Sequence, residues 1–193
     1  MSRVTFEISM SLDGFITGPD PGPGQLMGDG GDQLHRWMFD AATETDAGVL
    51  DEWRNGSGAL LMGMRMFEAG VGPWGDDPPF HRPVFVLTHQ DRDPLVKRGG
   101  TSYTFVTGGI TAALQRARRA AGGKNVAVAG GANLFRQYLT AGLLDELQIH
   151  LVPVLLGGGI RLFGPDRARG IALQPLRVLQ SCAVTHLTYR VMR

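Results

Sequence analysis

The chain has 193 residues, a length that suits a single domain with a sizeable core. Its 19 lysines and arginines nearly balance 18 aspartates and glutamates, and without a long basic block this argues against a nucleic-acid partner. Cys182 is the only cysteine, which excludes an internal disulfide and a multi-cysteine zinc site, so we expect no metal and a reducing, cytoplasmic location.

The N-terminal segment predicts a strand and no targeting signal. It lacks a charged leader followed by an apolar run, and no stretch of the chain approaches 18 uninterrupted apolar residues, so we expect neither secretion nor a membrane partner. Apolar and polar residues alternate over 4–10, and a turn at 12–14 ends the strand. Residues 18–32 are rich in glycine and proline, which predicts either a flexible surface loop or a lid.

The middle of the chain alternates between helical and strand patterns. The predicted elements are, in order, helical segments at 35–40 and 45–56, a buried strand at 58–63, a short helix at 64–70, strands at 83–89 and 103–109, an amphipathic helix at 110–121, and a strand at 125–129 that leads into a helix at 132–139.

The C-terminal part predicts strands alone. "LDELQIHLVPVLLGGG" at 144–159 has the pattern of one long strand, and "LRVLQSCAVTHLTYRVM" at 176–192 predicts one or two more. No period of 20 to 50 residues repeats. The chain therefore predicts one α/β domain over residues 1–193, with a mixed, mainly parallel central sheet and an antiparallel C-terminal edge.

Two strand-to-helix junctions contain glycine where such a sheet binds its ligands. Ligands lie outside the carboxyl ends of parallel strands, because helix N-termini with unpaired N–H groups gather there. At Gly130-Gly131 the missing side chains permit close approach to the backbone, so an anion could bind the N–H groups of Ala132, Asn133 and Leu134.

The second junction starts at Gly63 and places Met64, Arg65 and Met66 in the first helical turn. An arginine is unfavourable for the helix dipole at that position, and a bound anion would explain it. Neither junction fits a P-loop or a G-x-G-x-x-G pattern, and glycine also serves ordinary turns, so the case depends on the two junctions acting together.

A third strand end, "FVLTHQDRD", predicts which dinucleotide would bind. Thr88, His89, Gln90 and Arg92 offer hydroxyl, imidazole, amide and guanidinium groups just past the sheet. A carboxylate there would repel a ribose 2′-phosphate, whereas these groups would accept one. The stretch therefore favours NADP over NAD.

Taken together, these segments resemble the dihydrofolate reductase fold, and most closely the reductase domain at the C-terminal end of bifunctional riboflavin-biosynthesis deaminase-reductases. The resemblance is carried, in the family's order and over most of the chain, by "ISMSLDGFITG", "LLMGMRMFE", "FVLTH", "VAGGANLFRQYL" and "DELQIHLVPVLLGGGIRLF". It implies a three-layer α/β/α fold and an NADPH-dependent reductase, commonly a homodimer, similar to 5-amino-6-(5-phosphoribosylamino)uracil reductase.

The resemblance also implies roles for individual residues. The nicotinamide would lie between Ser9 and Ile16, and the substrate would face Asp13 and His150. The phosphates would contact the two glycine junctions, at Gly63, Met64, Arg65, Met66, Gly130, Gly131, Ala132, Asn133 and Leu134. The adenosine end would lie beside Leu87, Thr88, His89 and Gln90, with the adenine bordered by Thr107 and Gly108.

The sequence departs from the family pattern in two places. Met64 stands where an arginine is usual, and Arg65 follows one place later. Dihydrofolate reductases hold the pterin with a carboxylate on the helix before the "LLMG" strand, and here both Asp46 and Asp51 compete for that role. Five residues apart on a helix, they point to different faces, so at most one lines the pocket.

The expected chemistry is hydride transfer from NADPH to a planar heterocycle or a ribose-linked pyrimidine held between the first strand and the Gly-Gly junction. Asp46 is the first candidate proton donor, with Asp13 or an ordered water as alternatives. One cysteine cannot supply the H-x-E and P-C-x-x-C motifs of the zinc deaminases. Two alternatives stay open, a non-catalytic NADP(H)-binding protein and a flavin or deazaflavin reductase.

Overall fold

The computed structural model describes residues 2–22, 24–40, 43–164 and 170–192. The strands are β1 Val4–Ser11, β2 Ser57–Gly63, β3 Pro83–Leu87, β4 Leu95–Val96, β5 Ser102–Val106, β6 Asn125–Val128, β7 Glu146–Val152, β8 Leu173–Gln180 and β9 Thr185–Val191. The helices are α1 Arg36–Phe39, α2 Glu44–Gly56, α3 Met64–Gly70, α4 Gly109–Ala120 and α5 Ala132–Thr140, with short 3-10 helices at Gly31–His35 and Arg98–Gly100.

The strands within the described ranges form one sheet in the order β4-β5-β3-β2-β6-β1-β7-β9-β8. The six neighbours from β5 to β7 are parallel. Strand β4 at one edge and the β8–β9 hairpin at the other are antiparallel. The predicted mixed, mainly parallel sheet with an antiparallel C-terminal edge is confirmed.

Helices cover both faces of this sheet because its strands alternate in the side chains they present. On one face, Val4 and Phe6 of β1 pack with buried residues of α4 and α5, and the Phe6 and Phe135 rings stack at 4.3 Å. On the other face, Leu60 and Met62 of β2 pack against α3. Burial of each such side chain contributes about 1.5–3 kcal/mol, so both layers stabilise the sheet.

The structure differs most from the predicted elements at one strand end and in one strand that was missed. The strand predicted over 144–159 ends at Val152, because Pro153 has no N–H for the ladder and the Val154 N–H instead donates to the Val152 carbonyl at 2.8 Å. The two-residue strand β4 was not predicted, because two residues cannot show an alternating pattern. The final segment forms two strands, one of the two predicted outcomes.

The loop over residues 18–32 is folded on itself in its described part. The Gly18 N–H donates to the Met27 carbonyl at 2.7 Å. A Cβ atom on Gly159 would lie 2.1 Å from the carbonyl oxygen of Thr17, so the start of the loop packs tightly against the 157–159 backbone. That this loop acts as a lid stays a prediction.

A capping box starts helix α2. The Thr43 hydroxyl oxygen accepts a hydrogen bond from the Asp46 N–H at 3.3 Å. In return, Asp46 Oδ2 accepts from the Thr43 N–H and from the Thr43 hydroxyl, both at 2.8 Å. Because α2 leads directly into β2, its N-terminus lies towards the carboxyl edge of the parallel strands. The cap therefore fixes the helix at the edge where ligands are expected.

We predict that Thr43→Ala lowers the free energy of unfolding by about 1 kcal/mol, because the N–H groups in the first turn of α2 lose their acceptor. Thr43→Ser keeps the hydroxyl and is the matched control. Urea denaturation followed by tryptophan fluorescence measures both variants. Equal stability of the alanine and serine variants would show that the cap contributes nothing.

Candidate functional site

Three helices begin at the carboxyl edge of the sheet without a side-chain cap. Helices α3, α4 and α5 follow β2, β5 and β6, and their N-cap residues are Gly63, Gly108 and Gly131. None of these caps supplies a side-chain acceptor, so first-turn N–H groups stay unpaired. The edge therefore carries partial positive charge and donors suited to an anion.

The two glycine junctions predicted to hold phosphates lie next to each other. A Cβ atom on Gly63 would lie 3.9 Å from the Gly130 carbonyl oxygen, and one on Gly130 would lie 3.4 Å from Met66 Sδ. Gly130 has a φ of 117°, which favours glycine, and its peptide bond to Gly131 is cis. A Cβ atom on Gly131 would meet nothing within 4 Å. The space in front of the α5 N-terminus is therefore open.

Ile8 is a neighbour of this junction that the sequence did not predict. Its Cδ1 atom lies 3.9 Å from the position of a Cβ atom on Gly130. The predicted nicotinamide neighbour Ser9 presents its side chain to the other face, where it is buried and accepts a hydrogen bond from Trp37 Nε1 at 3.0 Å. Ile16 is buried in the core cluster beneath α4 and α5. Contacts of Ser9 and Ile16 with nicotinamide stay predictions.

The residues predicted at the adenosine end also lie together. The Thr88 N–H donates to the Val106 carbonyl at 3.2 Å, which places the loop after β3 beside Thr107 and Gly108. His89 and Gln90 are exposed, whereas Leu87 at the end of β3 is half-buried. This loop borders the uncapped start of α4, so hydroxyl, imidazole and backbone donors share one end of the edge.

The two arginines of the edge differ in their contacts. Arg65 is exposed in the first turn of α3 and makes no hydrogen bond or ion pair within the described ranges of the chain, so its guanidinium group can bind a ligand. Arg92 lies 3.4 Å from the Glu68 carboxylate and 5.9 Å above the Phe105 ring. Met64 and Met66 pack against the core beside α3.

Asp13 holds a loop at the end of β1. Its carboxylate accepts hydrogen bonds from the Ser11 hydroxyl at 2.6 Å, from the Leu156 N–H at 3.1 Å and from the Gly157 N–H at 2.7 Å. The bond from Ser11, with help from the two amides, lowers the pKa of Asp13 to about 2. Asp13 is therefore ionised at neutral pH, which disfavours it as a proton donor. Its predicted contact with substrate stays a prediction.

A chain of buried polar side chains joins α2 to the sheet. Asp46 Oδ1 lies 2.8 Å from His186 Nε2, the Nδ1 atoms of His186 and His150 lie 2.7 Å apart, and His150 Nε2 lies 2.8 Å from Glu7 Oε1. Trp37 packs on both imidazoles, with ring centroids 4.6 and 5.0 Å away. We call Asp46, His186, His150 and Glu7 the polar chain.

The two carboxylates that competed for the catalytic role are separated as their spacing predicts. Asp46 is fully buried, whereas Asp51 is exposed and pairs with Arg54 at 3.2 Å. Burial raises the pKa of Asp46, but hydrogen bonds from Thr43 and His186 outweigh it, and the net pKa lies below its ordinary value. Asp46 is therefore ionised at neutral pH. Its role as proton donor stays a prediction that this environment opposes.

Glu7, Trp37 and His186 were missed by reasoning from sequence. Their contacts with Asp46 and His150 join residues far apart in the chain, and only the register His150↔His186 and the pairing of β1 with β7 bring them together. The one available signal was polarity on alternate positions of β1, β7 and β9, which otherwise predicts a solvated face.

Comparison with known proteins gives the family context. The family model described as the RibD C-terminal domain matches residues 2–187. A structure from Shewanella sp. PV-4 that is named for riboflavin biosynthesis is 26% identical, with a TM-score of 0.74 and full coverage of both chains.

Two further solved structures share the fold at lower identity. A diaminohydroxyphosphoribosylaminopyrimidine deaminase/5-amino-6-(5-phosphoribosylamino)uracil reductase from Thermotoga maritima is 14% identical, with a TM-score of 0.65 over 99% of this chain and 57% of the other. A dihydrofolate reductase from Enterococcus faecalis, complexed with NADP(H), is 15% identical, with a TM-score of 0.59 over 99% and 97%. The predicted dihydrofolate reductase-like α/β/α fold is confirmed.

No helix within the described ranges is both long and apolar enough to cross a membrane.

We predict that the Asp13 carboxyl group titrates with a midpoint near 2 and that Ser11→Ala raises the midpoint towards the ordinary value of 3.8, because Ser11 makes the dominant hydrogen bond. The carboxylate stabilises the loop above about pH 4, and this contribution is lost as pH falls through the folded-state pKa. Carbon-detected NMR of the side chain measures the midpoint. An unchanged midpoint in Ser11→Ala would contradict the assigned cause.

Proposed function

Because the chain belongs to the RibD C-terminal domain family, we propose that it is an NADPH-dependent reductase that delivers hydride to a heterocyclic substrate of the ribose-linked pyrimidine or pterin type. Family membership supports an oxidoreductase. The names of the Thermotoga and Enterococcus structures support a pyrimidine-type substrate and an NADP(H) cofactor, respectively. The proposal includes a homodimer, supported by family likeness and by exposed Leu173, Leu176 and Val178 on edge strand β8.

The observation that carries the proposal is the set of unpaired donors along one edge of the sheet. Helix α5 offers the N–H groups of Ala132, Asn133 and Leu134, and the Gly63–Gly130 contact brings the start of α3 beside them. Arg65 adds a charged group without a competing partner in the described part of the chain. These donors fit a pyrophosphate, and the start of α4 with the Thr88 loop fits the adenosine end.

The free energies of single contacts explain why several sites must act together to bind a dinucleotide. One charge-assisted hydrogen bond contributes about 1.5–3 kcal/mol, and one helix dipole contact about 0.3–1 kcal/mol. Micromolar affinity requires about 8 kcal/mol. A single junction is therefore too weak to hold a dinucleotide, whereas adjacent junctions and a separate adenosine end reach that range.

The residues of this chain orient the reactants and keep water away from them. NADPH supplies the hydride when it is bound. Ile8 and the Gly130 backbone form one wall of the proposed nicotinamide site. Because Asp13 and Asp46 have lowered pKa values, we assign the proton for the substrate to an ordered water, the third of the sources expected from sequence.

The carboxylates of Asp13 and Asp46 are both held by hydrogen bonds within the protein. This also favours a second candidate, a non-catalytic NADP(H)-binding protein. Oxidation of NADPH, followed at 340 nm with pyrimidines, pterins and flavins, separates the two. Saturable binding without turnover on any of these substrates supports the second candidate. A flavin or deazaflavin reductase is recognised by turnover on flavins alone.

We predict that Gly131→Val weakens NADPH binding by at least about tenfold, because the added side chain enters the open space in front of α5. Gly56→Val is the matched control, since Gly56 also has open space around its Cα but lies at the opposite edge of the sheet. Titration of tryptophan fluorescence measures affinity, and melting temperatures should stay within about 3 °C of the parent. Unchanged affinity in a folded Gly131→Val protein would remove the Gly-Gly site.

We also predict that His89→Glu combined with Arg92→Glu lowers the preference for NADPH over NADH by about tenfold or more, because carboxylates would repel the 2′-phosphate. The combination His89→Gln and Arg92→Gln removes the same groups without adding negative charge and should have a smaller effect. The ratio of the two dissociation constants is the measurement. An unchanged ratio in the glutamate variant would discard the 2′-phosphate assignment.

A further inference from the structure

The polar chain has more hydrogen bonds than its neutral rings have protons. Its four side chains are joined in a line by three contacts of 2.7–2.8 Å, and each contact needs one hydrogen. Two ionised carboxylates contribute none, and two neutral imidazoles contribute one each. Without a third proton, two lone pairs would face each other in one of these contacts, either nitrogen against nitrogen or nitrogen against a carboxylate oxygen. The geometry therefore requires one additional proton.

One end of the polar chain is closed to solvent, and the other end is open to it. Asp46, His150 and His186 are buried to within 3% of full burial, and Trp37 covers both imidazoles. The Glu7 side chain is 17% exposed and lines a cavity of about 180 Å³. Protons can therefore enter or leave through Glu7, whereas the Asp46 end is closed.

The titratable groups that face the two imidazoles come from three elements. They are Asp46 from α2, Glu7 from β1 and His35 from the 3-10 helix that precedes α1. Burial lowers the pKa of His186 below its ordinary value, and the hydrogen bond with Asp46 offsets this only in part, so the extra proton cannot be assigned to His186 alone. Burial and the charge of His150 lower the pKa of His35, so His35 does not compete for the proton. The extra proton belongs to the His150–His186 pair as a unit.

We infer that the polar chain is a one-proton latch, which fastens the α1–α2 layer to β1, β7 and β9 when the shared proton is present and loosens it when the proton leaves through Glu7. With the proton, all three contacts are made and α2 is tied to the sheet through Asp46. Without it, one contact becomes a repulsion between lone pairs. The latch is independent of the proposed function, because no cofactor or substrate takes part in it.

The direction of the pH effect follows from the number of bound protons. In the latch, the folded chain keeps one proton above the unperturbed imidazole pKa of about 6.5, where the unfolded chain has lost the protons of both imidazolium groups. The folded state then binds more protons than the unfolded state, so stability falls as pH rises. The loss is complete once the folded protein also releases the shared proton.

Glu7→Gln tests the latch because it supplies the missing hydrogen. The introduced amide N–H can donate to His150 Nε2, His150 Nδ1–H to His186 Nδ1, and His186 Nε2–H to Asp46, so both rings stay neutral. Glu146→Gln is the matched control, because Glu146 lines the same cavity and pairs with Arg3, outside the polar chain. Urea midpoints between pH 6 and 9 are compared for the three proteins, and ¹⁵N NMR counts the imidazole N–H groups of His150 and His186.

We expect three imidazole N–H groups in the parent at pH 6.5 and two in Glu7→Gln. The parent and Glu146→Gln should show a falling urea midpoint as pH rises, and Glu7→Gln should lack that fall. Two N–H groups in the parent, or an equal fall in all three proteins, would overturn the latch. The count in the parent decides the matter even if Glu7→Gln does not fold.

Discussion

The pairing of β2 with β6 in a parallel sheet is the constraint on which the candidate site depends. It sets the register Leu61↔Val128, so that the chain leaves both strands at the same height. The following residues, Gly63 and Gly130, then come into contact, and α3 and α5 begin side by side. A side chain at Gly130 would need a strained backbone, because the φ of 117° lies in the region that favours glycine. The same glycines therefore permit the close packing of two junctions and leave their N–H groups open to a ligand.

The other face of β1 carries a second constraint, the cost of burying charge. A buried carboxylate or imidazolium is costly unless it is hydrogen-bonded, and the polar chain meets this condition by linking each group to the next. The Thr43–Asp46 cap connects this chain to the first turn of α2, so one carboxylate both starts a helix and ends a buried network. This explains how the helix on that side of the site is held in place. It also explains why Asp46 accepts hydrogen bonds and is a poor proton donor.

Much of the fold could be predicted because local pattern and tertiary position agree. Alternation in β1, the amphipathic stripe of α4 and the Gly-Gly junction before α5 each show in a short window, and together they predict a parallel sheet with ligands at its carboxyl edge. Pro153 indicates the end of β7, but the apolar residues on both sides of it favoured the prediction of a longer strand. The sequence shows only one part of the environment of Asp46. The pattern Thr43-x-x-Asp46 suggests a helix cap, whereas the contact with His186 spans 140 residues and depends on sheet register. Side-chain networks of this kind depend on distant strand pairing, which local periodicity does not encode.

A crystal structure of the protein grown with NADPH is the most direct test of the central claim, that backbone donors at adjacent junctions hold one dinucleotide along the carboxyl edge. The account predicts pyrophosphate oxygens within about 3 Å of the N–H groups at the start of α5. It also predicts the nicotinamide beside Ile8 and the adenosine near the loop after β3. A cofactor located elsewhere, or an edge that stays closed by the protein's own side chains at saturating NADPH, would contradict it.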